Sequence, residues 1–335
     1  MPLFKKTSKS SNTFNSAAHE LRVVAAQGDR EKAADLLRKG ARLIPDKDGR
    51  TAVHLGALAG HPEIVQLLSD KGCDLNVQDK LGYTALHRAS MEGHSEVVRI
   101  LLDGGALTDV QDFVQENTAL HEAAVGGHLN VLKLLISASA NLYVRNKDER
   151  EKNKSPRPRV PPIPVKIRFL NKLGRVPKGA VRNLTPEHIR SSRSQRLKPR
   201  MYLFQTGATP LHLACQNGRT LCVRWILQKG CKPDVKDKYD DTPLHTAIRY
   251  LHTGATKVLI NFGANVNEQN KNGDTPLHLS CHLVQKKISR LILQAGAAAA
   301  VLRNKQGETP TDIATRKQST ELIGILRTTQ AIILT

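Results

Sequence analysis

Large rings are scarce in this chain. Aromatic residues make up 4% of its 335 positions, with one tryptophan, Trp225. That is poor material for the core of a large globular enzyme. Acidic residues are also few, 30 against 51 Lys and Arg, for a formal charge of +21. Such an excess points to acidic partners: nucleic acid, an anionic membrane or an acidic protein surface. The five cysteines contain no CxxC pair and are odd in number, which argues against a disulfide framework. No apolar run reaches the length of a membrane span. The opening "MPLFKKTSKSSNTFNSAA" is basic but has no apolar core, so it does not read as a secretory signal. Being acid-free and serine-rich, it leaves a transit peptide open, although no arginine precedes Arg22. Pro2 excludes N-myristoylation, which needs glycine there. The expectation is a soluble protein in a reducing compartment, cytoplasmic and with nuclear residence also open.

What the chain has instead is a period. "TAVHLGALAGH" begins at Thr51, "TALHRASMEGH" at Thr84 and "TALHEAAVGGH" at Thr118. "TPLHLACQNGR" follows at Thr209, "TPLHTAIRYLH" at Thr242, "TPLHLSCHLVQ" at Thr275 and "TPTDIATRKQS" at Thr309. The steps are 33, 34, 91, 33, 33 and 34 residues, so one step carries 58 extra. Each threonine suits a helix N-cap, and Pro210, Pro243 and Pro276 suit the first helical position, where a missing N–H costs nothing. Two amphipathic helices follow each threonine; in the third repeat they are expected near Ala85 to Gly93 and Glu96 to Asp103. Gly72, Gly105, Gly230, Gly263 and Gly296 lie twenty-one residues after their threonines and suit left-handed helix caps, with Ser139 the exception.

A T-P-L-H motif at this spacing resembles the ankyrin repeat. The resemblance implies an all-α repeat solenoid of helix-turn-helix units with β-turn fingers, here with one long inserted loop. Eight repeats are expected: 15–147 holding four, the first a degenerate cap, and 207–335 holding four, the last a cap. Residues 1–14 read as a flexible basic N-terminus, and 148–206 as a proline-rich basic insert without order of its own. Atypical end repeats shield a solenoid's open ends.

Histidine is plentiful, but it follows the period. His54, His87, His121, His212, His245 and His278 lie three residues after the threonine; His61, His94, His128 and His252 lie ten after it. Residues recurring in register serve the fold, and no nucleophile is paired with a separate base. Cys215 and Cys281 share one register, Cys73 and Cys231 another, which suits small buried residues better than zinc ligands. No catalytic residue, metal, cofactor or small-molecule substrate is expected.

Function must then come from surface, and the chain reads as a monomeric, non-enzymatic adaptor or scaffold. The ankyrin resemblance implies a concave groove lined by the turn fingers and the first helices. The matching positions in repeats two to four are Lys47, Arg50, Leu58, Lys80, Leu81, Tyr83, Met91, Phe113, Val114 and Val125. In repeats five to seven they include Gln216, Asn217, Lys238, Tyr239, Arg249, Tyr250, Lys271 and His282. An apolar half would meet a basic, tyrosine-bearing half, suited to a peptide with an acidic end.

Within the family, "GCDLNVQD" (72–79), "TALHRAS" (84–90), "NTALHEAA" (117–124) and "TPLHLACQN" (209–217) are similar to the diversin/Diego proteins. That similarity implies a non-enzymatic adaptor of Wnt and planar-polarity signalling with Dishevelled-type partners.

The 148–206 insert falls in a turn finger. It holds 16 Lys or Arg against 4 Asp or Glu, about +12 of the chain's +21, and 8 of its 16 prolines. Lengthening a short loop to this size adds about 2.4 kcal/mol of closure entropy. Each large apolar side chain bared by an unstacked junction would cost roughly 1.5–3 kcal/mol. Leu132, Leu135 and Ile136 on one side and Leu213, Val223 and Ile226 on the other therefore favour one continuous array. Within the insert, Pro161, Pro164 and Lys166 fit the PxxPx+ pattern of SH3 ligands. Ser191, Ser192 and Ser194 stand among arginines as candidate phosphosites. The alternative reading of the whole protein is nucleic-acid or anionic-membrane binding through this insert.

Overall fold

At each repeat's threonine the chain turns from extended backbone into helix. Thr84 has φ −89° and ψ 171°, and its hydroxyl accepts from the His87 amide while the His87 ring accepts from the Thr84 amide. The same reciprocal cap opens the first helix of every repeat from the second onward. The computed structural model describes residues 8–147 and 207–334. Among them are sixteen α-helices and no strand.

The odd-numbered helices form one layer: α1 (Ser8–Gln27), α3 (Ala52–Ala59), α5 (Ala85–Glu92), α7 (Ala119–Gly126), α9 (Pro210–Gln216), α11 (Pro243–Arg249), α13 (Pro276–His282) and α15 (Pro310–Arg316). The even-numbered helices form a second: α2 (Arg30–Arg38), α4 (Pro62–Asp70), α6 (Ser95–Asp103), α8 (Leu129–Ser137), α10 (Thr220–Gln228), α12 (Thr253–Asn261), α14 (Lys286–Ala295) and α16 (Thr320–Leu334). Each helix packs on its hairpin partner and on its counterpart one repeat away. This is the all-α repeat solenoid that the ankyrin resemblance implies.

Its core is a single run of buried apolar side chains between the layers. Leu132 and Leu135 of repeat four, and Leu213, Val223 and Ile226 of repeat five, are fully buried, and α7 packs on α9. Burying residues of this size contributes roughly 1.5–3 kcal/mol each.

Three local expectations need correction. Helix α1 begins at Ser8, inside the stretch read as a flexible N-terminus; no proline or glycine interrupts the chain between Pro2 and Gly28. Ser139 takes the left-handed cap conformation (φ 64°) without being glycine. Gly296 does not take it (φ −170°): α14 runs to Ala295 and a 3₁₀ turn of alanines, Ala297–Ala300, continues from it.

The histidines do more than serve their own repeats. In the T-x-L-H motif, Nδ1 accepts from the threonine amide, so Nε2 carries the proton and donates to a carbonyl of the next repeat. His54 reaches Tyr83 (3.0 Å), His87 reaches Asn117 (3.0 Å), and His212, His245 and His278 continue the series. The second set reaches backwards: His94 bonds the Leu58 carbonyl at 3.2 Å, His128 that of Met91 at 3.1 Å and His252 that of Gln216 at 3.0 Å. Each of these rings lies against the left-handed glycine of the preceding repeat, where a Cβ would fall about 2.5 Å from the His94 ring at Gly60. Two opposed ladders thus fix the register between repeats. In the last repeat Asp312 replaces the histidine and still caps Thr309 (2.8 Å).

Candidate protein-interaction surface

Every finger is organised by its first residue. Asp79 Oδ1 accepts from the amides of Leu81 (2.9 Å) and Tyr83 (3.0 Å), and Asn270 Oδ1 does the same for Asn272 and Asp274. Adjacent tips are joined through backbone: Lys80 N–H to Asp48 O (2.9 Å), Phe113 N–H to Leu81 O (2.9 Å), Lys147 N–H to Gln115 O (2.8 Å) and Lys271 N–H to Tyr239 O (2.9 Å). A Cβ at Gly82 would lie 2.4 Å from the Phe113 nitrogen, so only glycine permits this approach. The tips therefore form a row of fixed spacing.

On this row the structure brings together Lys80, Leu81, Phe113 and Val114, all exposed, with Phe113 at 53%. Leu58, Met91 and Val125 lie at the ends of α3, α5 and α7, half-buried, and their backbone is held by the backward ladder. Lys47 is exposed. Arg50 is half-buried and paired with Asp46 and Asp48.

Tyr83 is not part of that surface. It was expected to stand in water and is 7% exposed. The Arg88 guanidinium lies 4.2 Å over its ring, and its edge meets His87 at 5.8 Å. Arg88 in turn forms a buried ion pair with Asp79. The sequence reading missed Arg88 and Glu122, which share the position four residues after the threonine. Both are buried, and Glu122 accepts from Asn117 Nδ2 at 3.0 Å. A charge at a position where other repeats carry Leu213, Leu279 or Ile313 was the available signal.

In the second half, Tyr239 and Lys271 are exposed and Lys238 lies over the Tyr239 ring at 4.9 Å. Arg249 pairs with Asp241, and the Tyr250 hydroxyl accepts from Gln216 Nε2 at 3.2 Å. Burial, with the Asp241 charge adding to it, pushes Asp237 up to about 6. Burial lowers His87, His121 and His212 to about 4, so they are neutral at physiological pH. It raises Cys215 and Cys281, which suits packing rather than thiolate chemistry. Among the described residues no group of three His, Cys, Asp or Glu could hold a metal ion, and no helix is long and apolar enough to cross a membrane. Pro161, Pro164 and Lys166, and Ser191, Ser192 and Ser194, lie outside the described residues.

A family model for "Ankyrin repeats (3 copies)" matches residues 21–112, 72–148, 178–270 and 252–332. The chain belongs to the ankyrin repeat family, whose repeats generally mediate protein–protein interaction. Its fold is similar to the ankyrin repeat domain of human ASB11, at 22% identity and a TM-score of 0.59, covering 82% of this chain and 96% of that one. It is likewise similar to the ankyrin repeat domain of Bcl-3, a unique member of the IkappaB family, at 23% identity and a TM-score of 0.61, covering 84% and 100%.

Proposed function

We propose that this protein is a non-enzymatic adaptor that takes a protein segment along its finger tips and inner helices. The observation that carries the reading is the exposed apolar row Leu81, Phe113 and Val114 on tips locked together by backbone bonds. Large apolar side chains held rigidly at an exposed site cost little entropy to bind and favour a partner that covers them. Tyr239 and Lys271 extend the row into a polar, cationic half, which suits a segment apolar at one end and acidic at the other. The four segments similar to diversin/Diego proteins support a place in Wnt or planar-polarity signalling with a Dishevelled-type partner. Replacing Leu81, Phe113 and Val114 together by serine tests the reading. All three are exposed, so the fold should persist while capture of protein partners from nuclease-treated extract drops at least tenfold. Unchanged capture by a folded variant would refute it.

A further inference from the structure

The loops that join first to second helices form the edge of the array away from the fingers, and this edge changes character along the chain. In repeats two to four it carries Gly60, Gly93 and Gly127, all left-handed, beside Glu63, Glu92 and Glu96. In repeats five to seven the same edge presents Leu221, 64% exposed, Leu251, 50% exposed, and the exposed pair Leu283 and Val284. Leu251 and Val284 occupy the left-handed position at φ 64° and 55°. A bulky residue, and above all a β-branched one, is strained there, and burial is only partial, with Leu251 50% and Val284 38% exposed. Helices α8 through α14 contain no Asp or Glu. In the loops of repeats five to eight and the helices that follow them, Arg219, Arg224, Lys257, Lys286, Lys287 and Lys317 are exposed. Glu321, at the start of α16, is engaged by Lys286 and Arg290.

We propose that this edge docks on an anionic lipid bilayer, with Leu221, Leu251, Leu283 and Val284 entering the headgroup boundary and the basic residues facing lipid phosphates and carboxylates. The apolar side chains stand on successive repeats, along a line of roughly 20 Å if helices are spaced 8–10 Å apart. A peptide would need one continuous groove to cover them. A fluid interface accepts each side chain singly, while long basic side chains reach its charged layer. The surface lies opposite the fingers and is independent of the partner row.

Glycine at 251 and 284 restores the residue that the left-handed conformation favours, so L251G/L283S/V284G should fold and melt no lower than the unchanged chain. Flotation of the full chain with vesicles of phosphatidylcholine containing phosphatidylserine, at physiological salt, is the test. The unchanged chain should float with these vesicles and not with pure phosphatidylcholine, and the triple variant should bind at least tenfold more weakly. Equal binding by the variant, which keeps the whole 148–206 segment, would overturn the proposal in favour of that segment. Equal binding to both lipids, or to neither, would overturn it too. A dimer in sedimentation velocity that the variant loses, without vesicle binding, would assign the edge to a second copy instead.

Discussion

His121 Nε2 lies 3.2 Å from the carbonyl oxygen of Ala208, a residue 87 positions further along the chain. The equivalent bonds elsewhere span 29 or 30 positions. Around it the feet of the inserted segment keep ordinary finger geometry: Ala208 N–H donates to Asn146 Oδ1 at 2.8 Å, Asn146 N–H to Ala208 O at 3.0 Å, and Lys147 N–H to Gln115 O at 2.8 Å. Joining Asp148 directly to Gly207 writes Asn-Lys-Asp-Gly, close to the Asp46–Gly49 finger. A chain lacking residues 149–206 should therefore fold, unfold in one transition and melt no lower than the full chain. Circular dichroism melts check this, and two separated transitions would contradict it.

His121→Ala removes a helix cap and the bond across that junction from a fully buried site. Loss of a cap costs about 1 kcal/mol, and a buried hydrogen bond with the small cavity left behind adds a similar amount or more. Urea denaturation should show a loss of about 2–3 kcal/mol. A loss under 0.5 kcal/mol would mean that the ladder contributes little at this step.

Arg88 and Asp79 form a matched pair in the third repeat only. Where the finger begins with Asn270 or Asn304, the position of Arg88 holds Leu279 or Ile313. Arg88→Leu alone strands a buried carboxylate and should cost about 3–5 kcal/mol. The double variant D79N/R88L reproduces the pairing of the later repeats, since an amide oxygen can still accept from Leu81 and Tyr83. It should recover most of that loss, as measured by urea denaturation; no recovery would contradict the pairing.

Most of the fold was legible from the cap, helix and turn that recur every 33 or 34 residues, because those choices are local and repeat. The direction in which each histidine reaches was not, since a period shows register without showing which neighbour receives a bond. Tyr83 was misread for a related reason. Its exposure is decided by Arg88, five residues on, whose guanidinium covers the ring only because Asp79 holds it. Leu81, Phe113 and Val114 were legible because no side chain within the repeat can reach past a finger tip to cover them. The strain at Leu251 and Val284 needed backbone angles, which composition does not disclose.

The buried histidines make stability pH-dependent. His87, His121 and His212 titrate near 4 in the folded chain and near 6.5 when unfolded, so the unfolded state takes up protons first as pH falls. Stability is full above about 6.5 and is lost progressively down to about 4. At pH 5 each of the three contributes a loss of about 2 kcal/mol. Asp237, raised to about 6, works the other way and offsets about 1 kcal/mol or less, allowing for its partial access to solvent. The melting temperature should fall steadily between pH 7 and pH 5. His87→Asn, which can keep the cap without titrating, should flatten that slope.

The most direct test of the interaction surface is a photo-crosslinking amino acid placed at position 113, on a finger tip, and in a second protein at Gln66, exposed on α4 of the opposite layer. Irradiation in cell extract should join a discrete protein partner to position 113 and not to position 66. The same partner joined equally at both positions, or at 66 alone, would contradict a finger-tip binding row.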